Sequence, residues 1–500
     1  MLTLTYSTAH MGLNSRIIDI ETHVSSRGLP NIIVVGLGDK AIEEARERIS
    51  AAIRNSGLQI PQSRITINLA PADLPKTGSS FDLALAIGIL SCSQQITPPN
   101  NKSLFIGELS LNGNLRPTNS VVASTHLAME QKFDAIYLPA QNAEQASIIN
   151  QIKIYPITSL IQLANHLNGT VPIKPIRPKP LRLTRVVPNP DFAEIYGQKA
   201  GKRAMIVAIA GGHNILLNGT PGAGKTMLAK AARGILPPMN KSEMMEVNKI
   251  HSLTRELNDL ISERPFRSPH HTASNISLIG GGKIPKPGEV SLAHNGILFL
   301  DELPEFPKTA LEVLRQPLED GYVSIARAQA SLSFPADFIL IATQNPCPCG
   351  YYGDNLKECI CNLHQIQRYQ KKISGPLLDR IDLLVNIERV PLDQMQNQTN
   401  LETSEKLRSQ VITARKLQSD RYKDCSINQN SQLTNKLIKQ FCSLDKTCLE
   451  LTYQAQSRLK LTGRSYQRVL RVARTIADLD GAEDISSDHL LEALSYRPAS

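Results

Sequence analysis

Gly219-Thr220-Pro221-Gly222-Ala223-Gly224-Lys225-Thr226 fills every required position of the pattern GxxxxGK[ST]. Glycines let successive backbone N–H groups turn inward around a phosphate, and a following helix aims its positive end at the same point. A lysine at position 225 reaches β- and γ-phosphates, and the Thr226 hydroxyl is placed for Mg²⁺. The flanks suit the motif. His213-Asn-Ile-Leu-Leu-Asn218 reads as a short buried strand, and Met227-Leu-Ala-Lys-Ala-Ala232 reads as a helix. The stretch therefore predicts an α/β nucleotide-binding unit that takes ATP with Mg²⁺.

A second run, Gly296-Ile-Leu-Phe-Leu-Asp301-Glu302, supports this reading. Four apolar residues predict a buried parallel strand ending in two carboxylates, at the strand end where open α/β sheets bind ligands. Asp301 is the candidate Mg²⁺ residue and Glu302 the candidate general base. Phe338-Ile-Leu-Ile-Ala-Thr-Gln-Asn345 predicts another buried strand, whose terminal Asn345 can orient an attacking water. The chemistry expected is nucleotide hydrolysis.

Composition sets the wider bounds. Five hundred residues suffice for two to four domains, and 41% hydrophobic with 20% charged residues fits a globular chain. The opening MLTLTYSTAHMGLN lacks a basic region followed by an apolar run, so no signal peptide is expected. No apolar stretch of about 18 residues suggests a membrane span. Eight cysteines in so long a chain fit a reducing cytoplasm better than a disulfide framework. A formal charge of +10 suits a polyanion. With no Trp and 4% aromatics, contacts to a nucleic-acid backbone are favoured over base stacking.

Residues 1–168 predict an α+β unit. Strands are expected at Asn31–Val35 and Arg64–Asn68, and helices over Asp39–Ser56 and Asp82–Leu90. The runs Pro71-Ala-Asp-Leu-Pro-Lys-Thr-Gly-Ser-Ser80-Phe-Asp82 and Gly107-Glu-Leu-Ser-Leu-Asn-Gly-Asn-Leu-Arg-Pro117 resemble the proteolytic domain of Lon proteases. That resemblance puts Ser80 at the family's nucleophile and Val122 at its lysine base. A serine without a base is inert, so a Lon-like fold without peptidase activity is expected. Residues 169–190 read as a linker. Between 171 and 190 lie six prolines and five basic residues, which predict an extended spacer, solvated or in contact with a polyanion.

Residues 191–390 are the expected nucleotide-binding core and 391–500 a helical lid. The motif order, with Leu377-Leu-Asp-Arg380-Ile-Asp382 after Asn345, resembles the AAA+ ATPases, in the branch holding magnesium chelatase and the minichromosome maintenance helicases. The resemblance implies that Arg380 is an arginine finger for a neighbouring subunit, and that Arg464 touches the γ-phosphate in cis. A bundle-helix cap is the plainer role for Arg464. By the same resemblance Val323-Ser-Ile-Ala-Arg327-Ala328 is a DNA-contacting hairpin, and the insert carrying Lys283 and Lys286 is a second pore loop. Surface turns are the alternative for both.

Cys347, Cys349, Cys359 and Cys361 form two CxC pairs that could hold Zn²⁺ or remain free thiols. His270-His271 has no partner at metal spacing and reads as structural or as an intersubunit contact. Across its length the chain is similar to magnesium-chelatase-like AAA+ proteins of the ComM (YifB) type. That similarity implies a cytoplasmic ring ATPase, a hexamer, acting on single-stranded and branched DNA with helicase or branch-migration activity in natural transformation and competence. A metal-chelatase-type motor remodelling a protein partner is the competing reading.

Overall fold

The computed structural model describes residues 2–25, 29–36, 39–71, 80–100, 102–176, 189–254, 260–282, 285–327, 330–354, 356–390, 402–459 and 461–497, less the side chains of 11, 14, 39–43, 326, 327, 330 and 331. They fall into two compact units. One takes Met1–Leu183, Asn240–Ser262 and Ala326–Phe334, and the other takes Thr184–Met239, Glu263–Ile325 and Pro335–Ser500.

The first unit is built on a seven-stranded mixed sheet. In spatial order its strands are Asn31–Val35, Arg64–Ala70, Asn14–Val24, Leu2–Met11, Ser103–Phe105, Ala135–Pro139 and Lys153–Ile157. Leu2–Met11 and Asn14–Val24 form an antiparallel hairpin. Gly12 supplies the left-handed φ of +60° that its two-residue loop needs. The sequence reading passes over this hairpin because Thr3, Thr5, Ser7 and Thr22 alternate as polar residues, yet all four are buried. They face helix Asp82–Cys92, which is buried along its whole length. Thr5 donates to the Ala84 carbonyl at 3.1 Å. A Cβ on Gly88 would fall 2.4 Å from the Thr22 hydroxyl, so only glycine allows this approach.

Of the Lon-like segment, residues 72–79 lie outside the described residues. Ser80 sits in a turn, its carbonyl accepting from the Gly107 amide at 3.0 Å. Val122 is 2% exposed, on helix Val121–Glu130, within an apolar cluster. Helix Lys241–Ser252, from the stretch expected as nucleotide-binding core, packs in this unit through Met245 against the same cluster.

The second unit holds a five-stranded, fully parallel sheet. Its order is Phe266–Arg267, Ile297–Leu300, Ile339–Gln344, Ile215–Gly219 and Leu383–Ile387. The apolar runs in the three central strands are buried, as expected for a sheet covered on both faces. Helices Lys199–Gly211 and Lys225–Ile235 pack on it. Five further helices, Ser404–Arg421, Asn435–Phe441, Lys446–Leu459, Gly463–Leu479 and Ser487–Ser495, close the same apolar core.

The parallel order separates two edges. Residues 220–226, 301, 302 and 345 follow the C-terminal ends of their strands. Residues 212–214, 337, 338 and 380–382 precede the N-terminal ends.

Candidate active site

The glycine-rich turn wraps a cleft of about 430 Å³ lined by Pro221, Gly222, Ala223, Gly224, Lys225, Thr226, Asp301, Glu302, Thr343 and Asn345. Gly222 and Gly224 take φ of +80° and +88°, and a Cβ on either would meet nothing within 4 Å. The loop thus forms an open cradle at the N-terminus of helix Lys225–Ile235. Lys225 Nζ donates to the carbonyls of Gly219 at 2.6 Å and Thr220 at 3.0 Å, and to Asn345 Oδ1 at 3.1 Å. These oxygens hold the ammonium where phosphate oxygens would go. Burial lowers its pKa to about 8, against the pull of Asp301 and Glu302. The Thr226 hydroxyl donates to Asp301 Oδ2 at 3.1 Å. This hydroxyl–carboxylate pair beside the cradle is a donor set that fits Mg²⁺ bound to a nucleotide.

Two positions that sequence did not single out fix this geometry. The Thr343 hydroxyl donates to Asp301 Oδ1 at 2.5 Å and accepts from the Glu302 amide at 2.9 Å. Glu302 adopts φ +53° and ψ 53°, a left-handed conformation costly for a residue with a side chain. Arg389 donates to the Pro221 carbonyl at 3.2 Å and so braces the loop from outside. No local motif announces either contact, because both depend on strands brought together by the fold.

A second cleft, about 640 Å³, opens at the opposite edge of the sheet. Its lining includes Asn214, Glu319, Asp337, Arg380, Asp382, Arg464, Arg468 and Arg471. Arg380 is paired with Glu319 and donates to the Pro376 carbonyl at 2.6 Å. Asp382 is buried, and desolvation alone would raise its pKa. His213, Arg468 and Arg497 outweigh that and hold it low. Arg468 Nη1 and Arg471 Nε meet no hydrogen-bond acceptor among the described residues. The lining matches four arginines with four carboxylates, Glu319, Asp320, Asp337 and Asp382, yet arginine N–H groups are left without acceptors among the described residues.

Arg464 lines this second cleft and not the one around Lys225, so the expected reach to phosphates in cis is not met here. The cause is packing. Helix Gly463–Leu479 buries Val469, Leu470, Val472, Ala473 and Ile476 in the apolar core, which directs its first turn to the N-terminal edge of the sheet.

The four cysteines converge, with all Sγ atoms within 4.8 Å of one another. Cys347–Cys349 is 3.4 Å, and Cys347–Cys359 and Cys349–Cys359 are each 3.6 Å. A tetrahedral site with Zn–S of about 2.3 Å needs S···S edges of roughly 3.8 Å. Backbone N–H groups also point at the sulfurs. Tyr352 N lies 3.3 Å from Cys347 Sγ, and bonds from Tyr351 and Ile360 help bring the Cys349 thiol down to about 6. Desolvation raises its neighbour Cys359, as for thiols sharing one site.

Lys286 is exposed on a short ribbon paired with Gly281. Lys283 and the side chain of Arg327 lie outside the described residues, although Arg327 ends strand Tyr322–Arg327 of a two-stranded sheet with Ala330–Pro335. His270 and His271 stack on each other at 4.1 Å between ring centroids. Among the described residues, no helix is long and apolar enough to cross a membrane.

Family models match along the chain: subunit ChlI of Mg-chelatase over residues 20–142, magnesium chelatase subunit ChlI over 191–395, and the ChlI C-terminal region over 401–497. The chain is 42% identical over 504 residues to the competence protein ComM of Haemophilus influenzae, covering 99% of this chain and 97% of that protein. It is 40% identical over 501 residues to the YifB protein of Escherichia coli, again covering 99% and 97%. A magnesium-chelatase 67 kDa subunit of Chlorobaculum parvum matches at 28% over 167 residues, 31% of this chain and 23% of that protein. A Lon-like first unit, a parallel phosphate-loop sheet, a helical lid and identity along the full length place this chain in the ComM-type, magnesium-chelatase-like family of AAA+ proteins.

Proposed function

We propose that this chain is the subunit of a cytoplasmic, hexameric ATP-hydrolysing ring that translocates on single-stranded and branched DNA and promotes branch migration in natural transformation. One observation carries the ring. Phosphate-loop side chains and a group of arginines are divided between the two ends of one parallel sheet, roughly 17 Å apart for five-residue strands. Lys225, Asp301, Glu302 and Asn345 occupy one end, and Arg380, Arg464, Arg468 and Arg471 the other. A second copy presenting its arginine edge to the phosphate loop would complete the site, with Arg380 and Arg464 both acting in trans.

In that composite site Lys225 and the loop amides hold the β- and γ-phosphates. Thr226 and Asp301 hold Mg²⁺, which when bound neutralises phosphate charge. Asn345 orients a water, and Glu302 takes its proton as the water oxygen bonds the γ-phosphorus and the bond to the β-phosphate oxygen breaks. The neighbour's Arg380 balances charge that develops on the phosphoryl oxygens. Glu319, its partner within the chain, must release it first. Cys347, Cys349, Cys359 and Cys361 are assigned one Zn²⁺, closed by four sulfurs and therefore structural.

DNA as the polymer is supported by the charge of +10, by exposed Lys286, and by the competence name of the Haemophilus relative. By sequence Lys283 belongs to the insert that carries Lys286, and it and Arg327 are assigned to DNA contact. ATPase rates with and without single-stranded or branched DNA, at two salt concentrations, test this. Stimulation that weakens with salt is expected. No stimulation at either concentration would transfer the motor to a protein partner, the magnesium-chelatase type of action.

A further inference from the structure

The cysteine knuckle lies against the phosphate loop. Gly350, between the two CxC pairs, takes φ +86°, and a Cβ there would fall 2.6 Å from Pro221 Cγ. Nothing larger than glycine can follow Cys349 without pushing on the turn that carries Lys225. The next residue, Tyr351, gives its amide to the Cys349 sulfur, and the Arg389 guanidinium lies 5.7 Å from its ring centroid. Asp354, also within the knuckle, pairs with Arg389 Nε at 3.4 Å, its side chain only 4% exposed. Arg389 then donates to the Pro221 carbonyl at 3.2 Å. At its other end the knuckle begins two residues after Asn345, which receives the Lys225 ammonium.

We propose that the four-cysteine knuckle is a soft-metal site whose occupancy sets the shape of the phosphate loop, acting through Gly350, Tyr351, Asp354 and Arg389. This rests on the zinc and ATP assignments above. Four sulfurs within 4.8 Å of one another are tied together when one cation takes the place of their protons. Without it the sulfurs take up protons, nothing ties Cys347 and Cys349 to Cys359 and Cys361, and Asp354 loses its fixed place beside Arg389. Arg389 and Asp354 are thus positioning residues: neither touches the nucleotide, and each acts on the loop that does.

The test uses the full-length protein, purified without a metal-affinity column, with elemental analysis for zinc and a fluorescent ADP analogue plus Mg²⁺ as probe. About one zinc per chain is expected. Stripping it with a chelator selective for soft metals should weaken the analogue about tenfold, the scale of losing groups that orient a site, and added zinc should restore it. Asp354→Asn should keep the zinc, bind the analogue more weakly, and lose further sensitivity to stripping, because the link is already cut. Cys359→Ser should lose the zinc and match the stripped protein. Should that variant fail to fold, reversible stripping and Asp354→Asn still decide. Absence of zinc, before and after reconstitution, would overturn the metal assignment. Zinc present with stripped affinity within twofold of the loaded protein would overturn the coupling alone. Additive losses in stripped Asp354→Asn would do the same. No analogue binding by zinc-loaded protein would instead overturn the nucleotide site.

Discussion

Replacing Thr343 with valine removes one hydroxyl and keeps the side-chain shape. That hydroxyl is the joint between Asp301 and Glu302, donating to the first at 2.5 Å and accepting the amide of the second at 2.9 Å. Thr343 is 1% exposed, so water has no ready access to replace it. An orphaned buried amide costs about 1–3 kcal/mol, and the left-handed backbone of Glu302 already costs roughly 1–2 kcal/mol. Relaxing that backbone recovers part of the strain but swings the carboxylate away from the γ-phosphate position. We expect Thr343→Val to lose about 2 kcal/mol of stability in urea unfolding. Its kcat should fall roughly thirtyfold, a partial loss of general-base catalysis. Nucleotide affinity should stay nearly unchanged, because Lys225 and the loop amides are untouched. Thr343→Ser restores the hydroxyl and should restore most of kcat. Thr343→Val with kcat within twofold of the parent, and no better in the serine variant, would refute the role of the joint.

Two other perturbations concern Lys225 and the hairpin of Arg327. Burial holds Lys225 at about 8, so ATP affinity should fall as pH rises through 8, by up to about tenfold per pH unit, and a binding titration from pH 7 to 10 checks this. The sign reverses for the free fold. The unfolded lysine keeps its proton up to its ordinary 10.5, so nucleotide-free stability should gain between about 8 and 10.5, and Lys225→Met should abolish that gain. Arg327→Ala should weaken DNA binding alike for all sequences and reduce the slope of log affinity against log salt by about one per engaged chain. Unchanged affinity and slope would remove the hairpin from the DNA path.

What sequence makes legible here is what chemistry packs into one short run. The phosphate loop, Asp301-Glu302 and Asn345 each sit at the end of an apolar strand, and the fold brings all three to one cleft. Thr343 and Arg389 carry no such mark: one is a strand residue among apolar neighbours, the other a lone arginine, and strand order alone gives them partners. Arg464 is legible as an arginine opening a helix, but its direction depends on which helix face meets the core. The opening hairpin is missed for a different reason. Its buried threonines are satisfied in part by neighbouring groups, as Thr5 is by Ala84, so polarity no longer reports exposure.

The composite site is tested most directly by mixing Glu302→Gln with Arg380→Ala subunits and measuring ATPase. Each variant alone should be nearly inactive, the second by the factor of about 10³–10⁵ that arginine fingers contribute. In an equal mixture, an Arg380→Ala subunit still offers Glu302, and a Glu302→Gln neighbour still offers Arg380. Random assembly makes about a quarter of the interfaces complete in a closed ring with one type of interface. We predict a rate near that fraction of the parent protein's. A rate no higher than that of the better single variant, in rings shown by tag capture to contain both subunits, would contradict a site shared between chains.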